Sequence, residues 1–252
     1  MIGIFVIVAW GLSDLLSNIP KQRQVFIVAT VLIVSVLAVT TWRQLKHWET
    51  SYSLYEHAVS VTKENSWAHY NLGLEQVKHG NADIALKNFE ASLRIKPNQK
   101  DVLLSIGTIF AERGDRERAL QYYNHALALD PDFLKAHINI GSVLLEQGAP
   151  DKAIVHFNKS QKIAPDNSDA YYLSGLAHSK IGEYRIAYEL YNKALELNPD
   201  HLKAHNSLGI LLGSSGDYER SIFHFRKALD INPQFKPASQ NLEATLRFLG
   251  KK

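Results

Sequence analysis

The sequence predicts an all-α protein: an N-terminal transmembrane helical hairpin, then an α-solenoid of five helix–turn–helix units, with a half unit before them and a capping helix after. Three observations predict it. Residues 24–42 are a nineteen-residue run without a formal charge. Beyond them, glycine, proline and aromatic residues recur with a step of 34 residues. The 252 residues contain no cysteine, which excludes a disulfide-stapled small fold, thiolate chemistry and thiolate-bound metal.

Residues 2–16, IGIFVIVAWGLSDLL, are apolar but few, and Asp14 stands near their end. A signal peptide is one reading. Against it, no basic segment precedes the run, and the small-x-small triplets (Ala9 with Gly11, Gly11 with Ser13) fall inside it rather than after it. A span whose start lies upstream of Met1 fits better. Residues 17–23, with Pro20, then make the tight loop of the hairpin. The second span is 24–42, QVFIVATVLIVSVLAVTTW. At 1.5 Å per residue it reaches roughly 28 Å, close to the hydrocarbon core of a bilayer. Its β-branched residues would suit a buried strand in water, but only a helix satisfies its own backbone in lipid. Trp42, Arg43, Lys46, His47 and Trp48 follow, as at an interface. Residues 1–48 therefore read as a membrane anchor.

The formal charge of +3 lies wholly in that anchor, where Lys21, Arg23, Arg43 and Lys46 face the single acid Asp14; acids and bases balance in the rest. No basic excess remains for a phosphate backbone, which argues against nucleic acid as a partner. Two basic residues flank each side of the 24–42 span, so the positive-inside count is a tie.

The 34-residue step runs through Gly73, Gly107, Gly141, Gly175 and Gly209, and again through Gly80, Gly114, Gly148, Gly182 and Gly216. Pro97, Pro131, Pro165, Pro199 and Pro233 keep it, as do Ala85, Ala119, Ala153, Ala187 and Ser221. So does the aromatic series Phe89, Tyr123, Phe157, Tyr191 and Phe225. With Ser66 as position 1, the two glycines fall at positions 8 and 15 and the proline at 32. The first glycine lies inside helix A, a cost of ~0.5–1 kcal/mol against alanine. A close second helix justifies it, with the small residue at position 20 as the matching surface. The second glycine ends helix A, and Asn81, Asp115 and Asp217 after it are expected to cap helix B. Proline stops helix B, with Asn98, Asp132, Asp166 and Asp200 as expected caps of the next helix A. The aromatic at position 24 and the small residue at 27 pack helix B into its neighbours. No unit buries its own apolar face, so units must stack.

This pattern resembles the tetratricopeptide repeat, over 66–99, 100–133, 134–167, 168–201 and 202–235. Its departures are mild: position 4 is His69, Leu103, His137, Tyr171 or His205, and position 7 of the fourth repeat is Ser174, which weakens a core contact. Residues 49–65 hold a half-repeat helix, with Tyr55 and Ala58 at positions 24 and 27. It follows the span without a Gly/Ser or proline-rich linker. Residues 236–250 repeat helix A, with Leu242 and Leu246 apolar and Lys236, Gln240, Glu243 and Arg247 outward, as suits a capping helix.

No catalytic residues are expected. Neither a metalloprotease helix, a nucleophile elbow, a phosphate loop nor a carboxylate pair is present, and no metal, cofactor or small-molecule substrate is indicated. His69, His137 and His205 share position 4 at intervals of 68 residues, too far apart for one metal, and are expected to pack on helix B. The resemblance implies a concave groove lined by helix A. It includes Trp67, Tyr70, Asn71, Leu74, Val77 and Lys78 in repeat 1, and Asp101, Leu104, Ser105 and Thr108 in repeat 2. Lys135, Ile138, Asn139, Ser142 and Leu145 follow in repeat 3, Tyr172, Leu176 and Lys180 in repeat 4, Lys203, Asn206 and Ile210 in repeat 5, and Asn241 in the cap. Amides, aromatics and aliphatics with few charges suit a protein or extended peptide as partner. Asn71, Asn139 and Asn241 share position 6, as in the asparagine ladder of the O-linked N-acetylglucosamine transferase repeats, but Ser105, Leu173 and Ser207 interrupt it. Tyr70 stands where the carboxylate clamp of chaperone-binding repeats has lysine.

The two apolar segments followed by TWRQLKHWETSYSLYEHAVSVTKENSWAHYNLG resemble the last spans and junction of bacterial multi-span membrane proteins that end in these repeats, relatives of O-mannosyltransferases and other lipid-sugar-dependent glycosyltransferases. That resemblance implies a bacterial inner-membrane protein with extracytoplasmic repeats. The catalytic acids of that family lie in loops between early spans, to which no residue here corresponds. The expected function is a membrane-anchored interaction module within such a transferase. The alternative is a complete stand-alone membrane-tethered scaffold for assembling a protein complex.

Overall fold

The computed structural model describes residues 22–46 and 48–250, and among them it is all-helical, with thirteen helices. Helix α1, Gln22–Lys46, contains the second apolar segment. Among the described residues it is the one helix long and apolar enough to cross a membrane, over 27–45, and none of that stretch is buried within the protein. The first expected span, 2–16, lies outside the described residues, so a single such helix stands where the sequence leads one to expect a hairpin. Thr40 turns its hydroxyl onto the Leu37 carbonyl at 2.9 Å, satisfying it within the helix.

Helix α2, Ser51–Val61, starts at a capping box: Ser53 N donates to Thr50 Oγ1 (3.0 Å) and Thr50 N to Ser53 Oγ (3.2 Å). Five helix pairs follow: α3 (Ser66–Lys78) with α4 (Ala82–Ile95), α5 (Lys100–Glu112) with α6 (Arg116–Leu129), α7 (Leu134–Glu146) with α8 (Pro150–Ile163), α9 (Ser168–Lys180) with α10 (Tyr184–Leu197), and α11 (Leu202–Ser214) with α12 (Tyr218–Ile231). Helix α13, Lys236–Phe248, closes the series. The chain divides within α4 into two compact units, residues 1–88 and 89–252.

The punctuation between helices has a definite chemistry. Helix α5 ends with Gly114 at φ +78°; its N–H reaches the Ala111 carbonyl and the Asp115 N–H the Phe110 carbonyl, both at 2.9 Å. That pairing satisfies carbonyls the helix end leaves open, and it needs the left-handed conformation that glycine adopts freely. Asp115 and Asp217 then accept the N–H of Arg118 and Arg220 (3.1 Å each), capping α6 and α12 as expected.

The start of helix A differs from expectation. The cap is the second residue after the proline, not the first: Gln99, Phe133, Asn167, His201 and Phe235. Asn167 and His201 accept the N–H of Ala170 and Ala204 through their side chains. The residue before the proline uses its side chain instead. Asp130, Asn198 and Asn232 each accept the N–H two residues on, at 3.0–3.1 Å, closing a turn around the proline. Asp132 and Asp200 stand inside that turn, too early to reach the helix.

In the second unit each apolar cluster straddles two repeats. Leu103 and Ala126 meet Phe133 and Ala136; Leu145, Ala153 and Phe157 meet Ala177; Ala187 and Tyr191 meet Leu208 and Leu212. Full burial of a side chain such as Phe157 contributes roughly 1.5–3 kcal/mol. The glycine at position 8 has a different partner from the expected one. A Cβ on Gly141 would lie 2.5 Å from Phe157 Cε1, and one on Gly107 2.6 Å from Tyr123 Cε1. The aromatic at position 24, rather than the small residue at 20, fills the glycine's space. Position 20 acts one step aside: the Ser221 hydroxyl donates to the Gly209 carbonyl at 2.7 Å. At the same register in α13 stands Glu243, so the close approach of aromatic to glycine is not available to a helix docking there.

Candidate peptide-binding groove

In the first unit, α3 carries the groove positions of repeat 1. Trp67 is 61% exposed and meets Tyr55 of α2 edge-on at 5.3 Å. Tyr70 and Leu74 are half-buried. Asn71 gives its amide N–H to the Trp67 carbonyl (2.8 Å), and Lys78 pairs with Glu75 (2.7 Å).

In the second unit α5, α7, α9, α11 and α13 stand side by side in that order. Their expected groove residues divide into three sets. Leu104 packs against the Leu103–Phe133 cluster and Leu145 is buried in the next one, so both serve the core. Each lies on the edge of the A-helix face that the following repeat covers. Ser105 and Ser142 spend their hydroxyls on the Asp101 and Ile138 carbonyls at 2.9 Å each. The amides join adjacent helices: Asn139 Nδ2 donates to Thr108 Oγ1 (3.5 Å), and Asn241 Nδ2 to Asn206 Oδ1 (3.1 Å). Thr108 also accepts from Tyr123 Oη (3.3 Å).

The third set converges on open space. Leu176 of α9 and Ile210 of α11, the latter 46% exposed, line an open cavity of about 750 Å³. Ser179, Ser207 and Ser214 complete the A-helix wall, and Tyr184, Arg185, Tyr188 and Tyr191 of α10 form the other. Tyr172 stands behind, 4.9 Å from the His201 ring and 6.1 Å from Tyr191. Burial pushes the Tyr191 hydroxyl up to about 12 and raises Tyr172, so both phenols stay neutral at physiological pH. Arg185 is the one charged lining residue, and it pairs with Glu189 at 2.7 Å.

The tyrosines were not among the groove residues expected from the sequence. Their signal is present, since 184, 188 and 191 share one stripe of α10 at helical spacing. The cavity exists because position 12 is Ser179 there; the same position in repeat 3 is Leu145, which fills its own site. No carboxylate or imidazole lines the cavity, so none of its serines has a base beside it. Among the described residues no three histidine or acidic side chains gather as a metal cluster. Apolar walls with hydroxyls at their rim can seat a side chain and meet the backbone that carries it.

Three family models of the tetratricopeptide repeat match residues 70–132, 110–178 and 166–234. A solved structure of MamA from Desulfovibrio magneticus is similar at 25% identity and TM-score 0.61, covering 69% of this chain and 98% of that one. A repeat protein from Parabacteroides merdae is similar at 23% identity and TM-score 0.63, over 75% of each chain. YrrB, described as having an unusual peptide-binding site, is similar at 17% identity and TM-score 0.57, over 74% of this chain and 96% of that one. Protein O-mannosyl-transferase Tmtc2 of Drosophila melanogaster is 25% identical over 101 residues, 40% of this chain but only 11% of that protein's length. Repeats of this kind are scaffolds for protein–protein interaction. With its period, its helix pairs and its family matches in agreement, the chain belongs to the tetratricopeptide repeat family.

Proposed function

We propose that the chain is a membrane-anchored interaction module in which α1 crosses the bilayer and the repeats hold an extended protein segment along helix A. The observation that carries this reading is the cavity between repeats 4 and 5, where Leu176 and Ile210 open toward three tyrosines with no opposing charge but Arg185. A bound segment inserts an apolar or aromatic side chain there, and its backbone meets the serine and tyrosine hydroxyls. Within the same unit, Thr108, Ile138 and Asn206 supply further contact surface. A photo-crosslinking residue at Ile210 should capture a protein partner in cells, whereas one at Val155 on helix B, which is more exposed, should not. Equal capture from both sites would overturn the groove reading.

The module serves as the non-catalytic C-terminal part of a multi-span, glycosyltransferase-like protein, with its repeats on the extracytoplasmic side of an inner membrane. The junction sequence after Trp42 and the similarity to Tmtc2 support this. Because the chain has no cysteine, one introduced at Ser214 reports topology: an impermeant maleimide should label it in intact cells, and labelling only after lysis would contradict an external array. The reading frame ahead of Met1 tests the parent. Further apolar spans there agree with a transferase, and a stop codon beside a ribosome-binding site points to a stand-alone scaffold.

A further inference from the structure

Positions 4 and 23 lie on helix A and helix B of each repeat, and what stands there alternates. Repeats 3 and 5 place imidazole against imidazole: His137 Nδ1 to His156 Nδ1 at 3.0 Å, and His205 Nδ1 to His224 Nδ1 at 2.9 Å. Repeats 2 and 4 hold Leu103 with Tyr122 and Tyr171 with Leu190 at the same register. In repeat 1, His69 Nδ1 meets the amide oxygen of Asn88 at 3.2 Å.

Proton bookkeeping in the paired repeats follows from the outer nitrogens. His137 Nε2 lies 3.0 Å from the Pro131 carbonyl and His205 Nε2 2.9 Å from the Pro199 carbonyl, and a carbonyl only accepts. Each of these rings therefore carries its proton on Nε2 and presents a bare Nδ1. The Nδ1–H that closes each pair belongs to His156 or His224. A proton added to the Nδ1 of His137 or His205 sets N–H against N–H at 3 Å. A proton added to Nε2 of His156 or His224 keeps the hydrogen bond but leaves an imidazolium half-buried in the helix interface. The Asn88 amide of repeat 1 accepts equally well from a protonated His69.

We propose that the two imidazole pairs are acid-sensitive latches, which hold helix A to helix B in repeats 3 and 5 while each pair is neutral and release both repeats on acidification, leaving repeats 2 and 4 closed. The surroundings agree. Burial, then the facing His137, lowers His156; burial, then His205 and Arg220, brings His224 down to about 4. His205 is also lowered, chiefly by burial, with Lys227 and His201 acting the same way and the Pro199 carbonyl and Asp200 against. Glu196 of α10 and Asp230 of α12 line the same open cavity beside the repeat 5 pair, and near repeat 3 Lys159 of α8 is tied to Asp132 at 2.6 Å. Histidines lowered in the folded state favour folding above the ordinary value of 6.5. For His224 that contribution is lost as pH falls from 6.5 toward about 4, and for His156 and His205 as pH falls below 6.5, because the opened form binds more protons.

The test is amide hydrogen exchange of the full-length protein in detergent at pH 7.5 and 5.0, corrected for the chemical exchange rate. At pH 5.0, α11 and α12 should lose at least about tenfold more protection than α5, α6, α9 and α10, since His224 stays neutral down to about 4, and α7 and α8 should also lose more than those four helices. Replacing both pairs with the repeat 2 residues (H137L with H156Y, H205L with H224Y) should abolish that difference. Uniform loss in all four repeats, or an unchanged acid response after replacement, would overturn the proposal. Should the replaced protein not fold, NMR titration of the unaltered imidazoles decides: His156 and His224 titrating together near 6.5 would also overturn it.

Discussion

Repeats 3 and 4 share one backbone plan yet differ in what they do with their interior. Both have glycine at positions 8 and 15, alanine at 20, an aromatic at 24 and proline at 32. Repeat 3 fills position 7 with Ile140 and position 12 with Leu145, both buried. Repeat 4 has Ser174 and Ser179 there; the Ser174 hydroxyl is buried without a partner, and Ser179 opens onto the cavity. The invariant positions set how helices approach one another. The variable ones decide whether the interface between repeats is a core or a site. The cavity therefore arises here by subtraction, where the small Ser179 stands in place of a leucine.

That comparison can be broken most forcefully at the shared framework. Gly141→Ala puts a methyl 2.5 Å from the Phe157 ring and should destabilise the array by roughly 2–3 kcal/mol. Denaturant unfolding measures it, and Phe157→Leu in the same chain should restore part of the loss. If Gly141→Ala is neutral, the close approach does not constrain the register. Ser179→Leu converts repeat 4 to the repeat 3 arrangement. It should weaken capture of the groove partner at least tenfold, about 1.4 kcal/mol, with no fall in melting temperature. Unchanged capture would separate the cavity from function.

Two milder changes sharpen the contrast. Ser174→Ala removes the orphan hydroxyl and should stabilise by about 1 kcal/mol, a rise of roughly 2–4 °C in Tm. A fall would mean that the hydroxyl has a water partner. Ala149→Asp gives α8 the side-chain cap that Asp115 and Asp217 give α6 and α12, and should add about 0.5–1 kcal/mol by the same thermal assay.

Much of the architecture was legible in the residues before any coordinates. The 34-residue step set the helix starts, from Ser66 through Lys100, Leu134, Ser168 and Leu202 to Lys236. Glycine at position 15 marked the end of each helix A because few other residues accept a positive φ. The apolar run after Gln24 became the helix its length required. The caps of helix A were misplaced by one residue, since Asp130 and Asn198 turn back on their own loops, a local geometry that the Pro-Asp spelling does not distinguish.

The candidate site divides in the same way. The family resemblance put Leu176 and Ile210 among the expected groove positions of helix A, because a repeat position is a property of one helix. It could not separate Ile210, left open, from Leu145, which the next repeat buries, because that depends on how closely a neighbouring helix approaches. Nor could it bring Tyr184 and Tyr188 of helix B into the groove, or join His137 to His156 across 19 positions. Spacing along the chain determined the repeat, its direction and its punctuation, since those are set by backbone sterics within a few residues. Which side chains meet, which hydroxyl is left without a partner and where space remains were decided only by tertiary packing, because those depend on volumes contributed by different repeats.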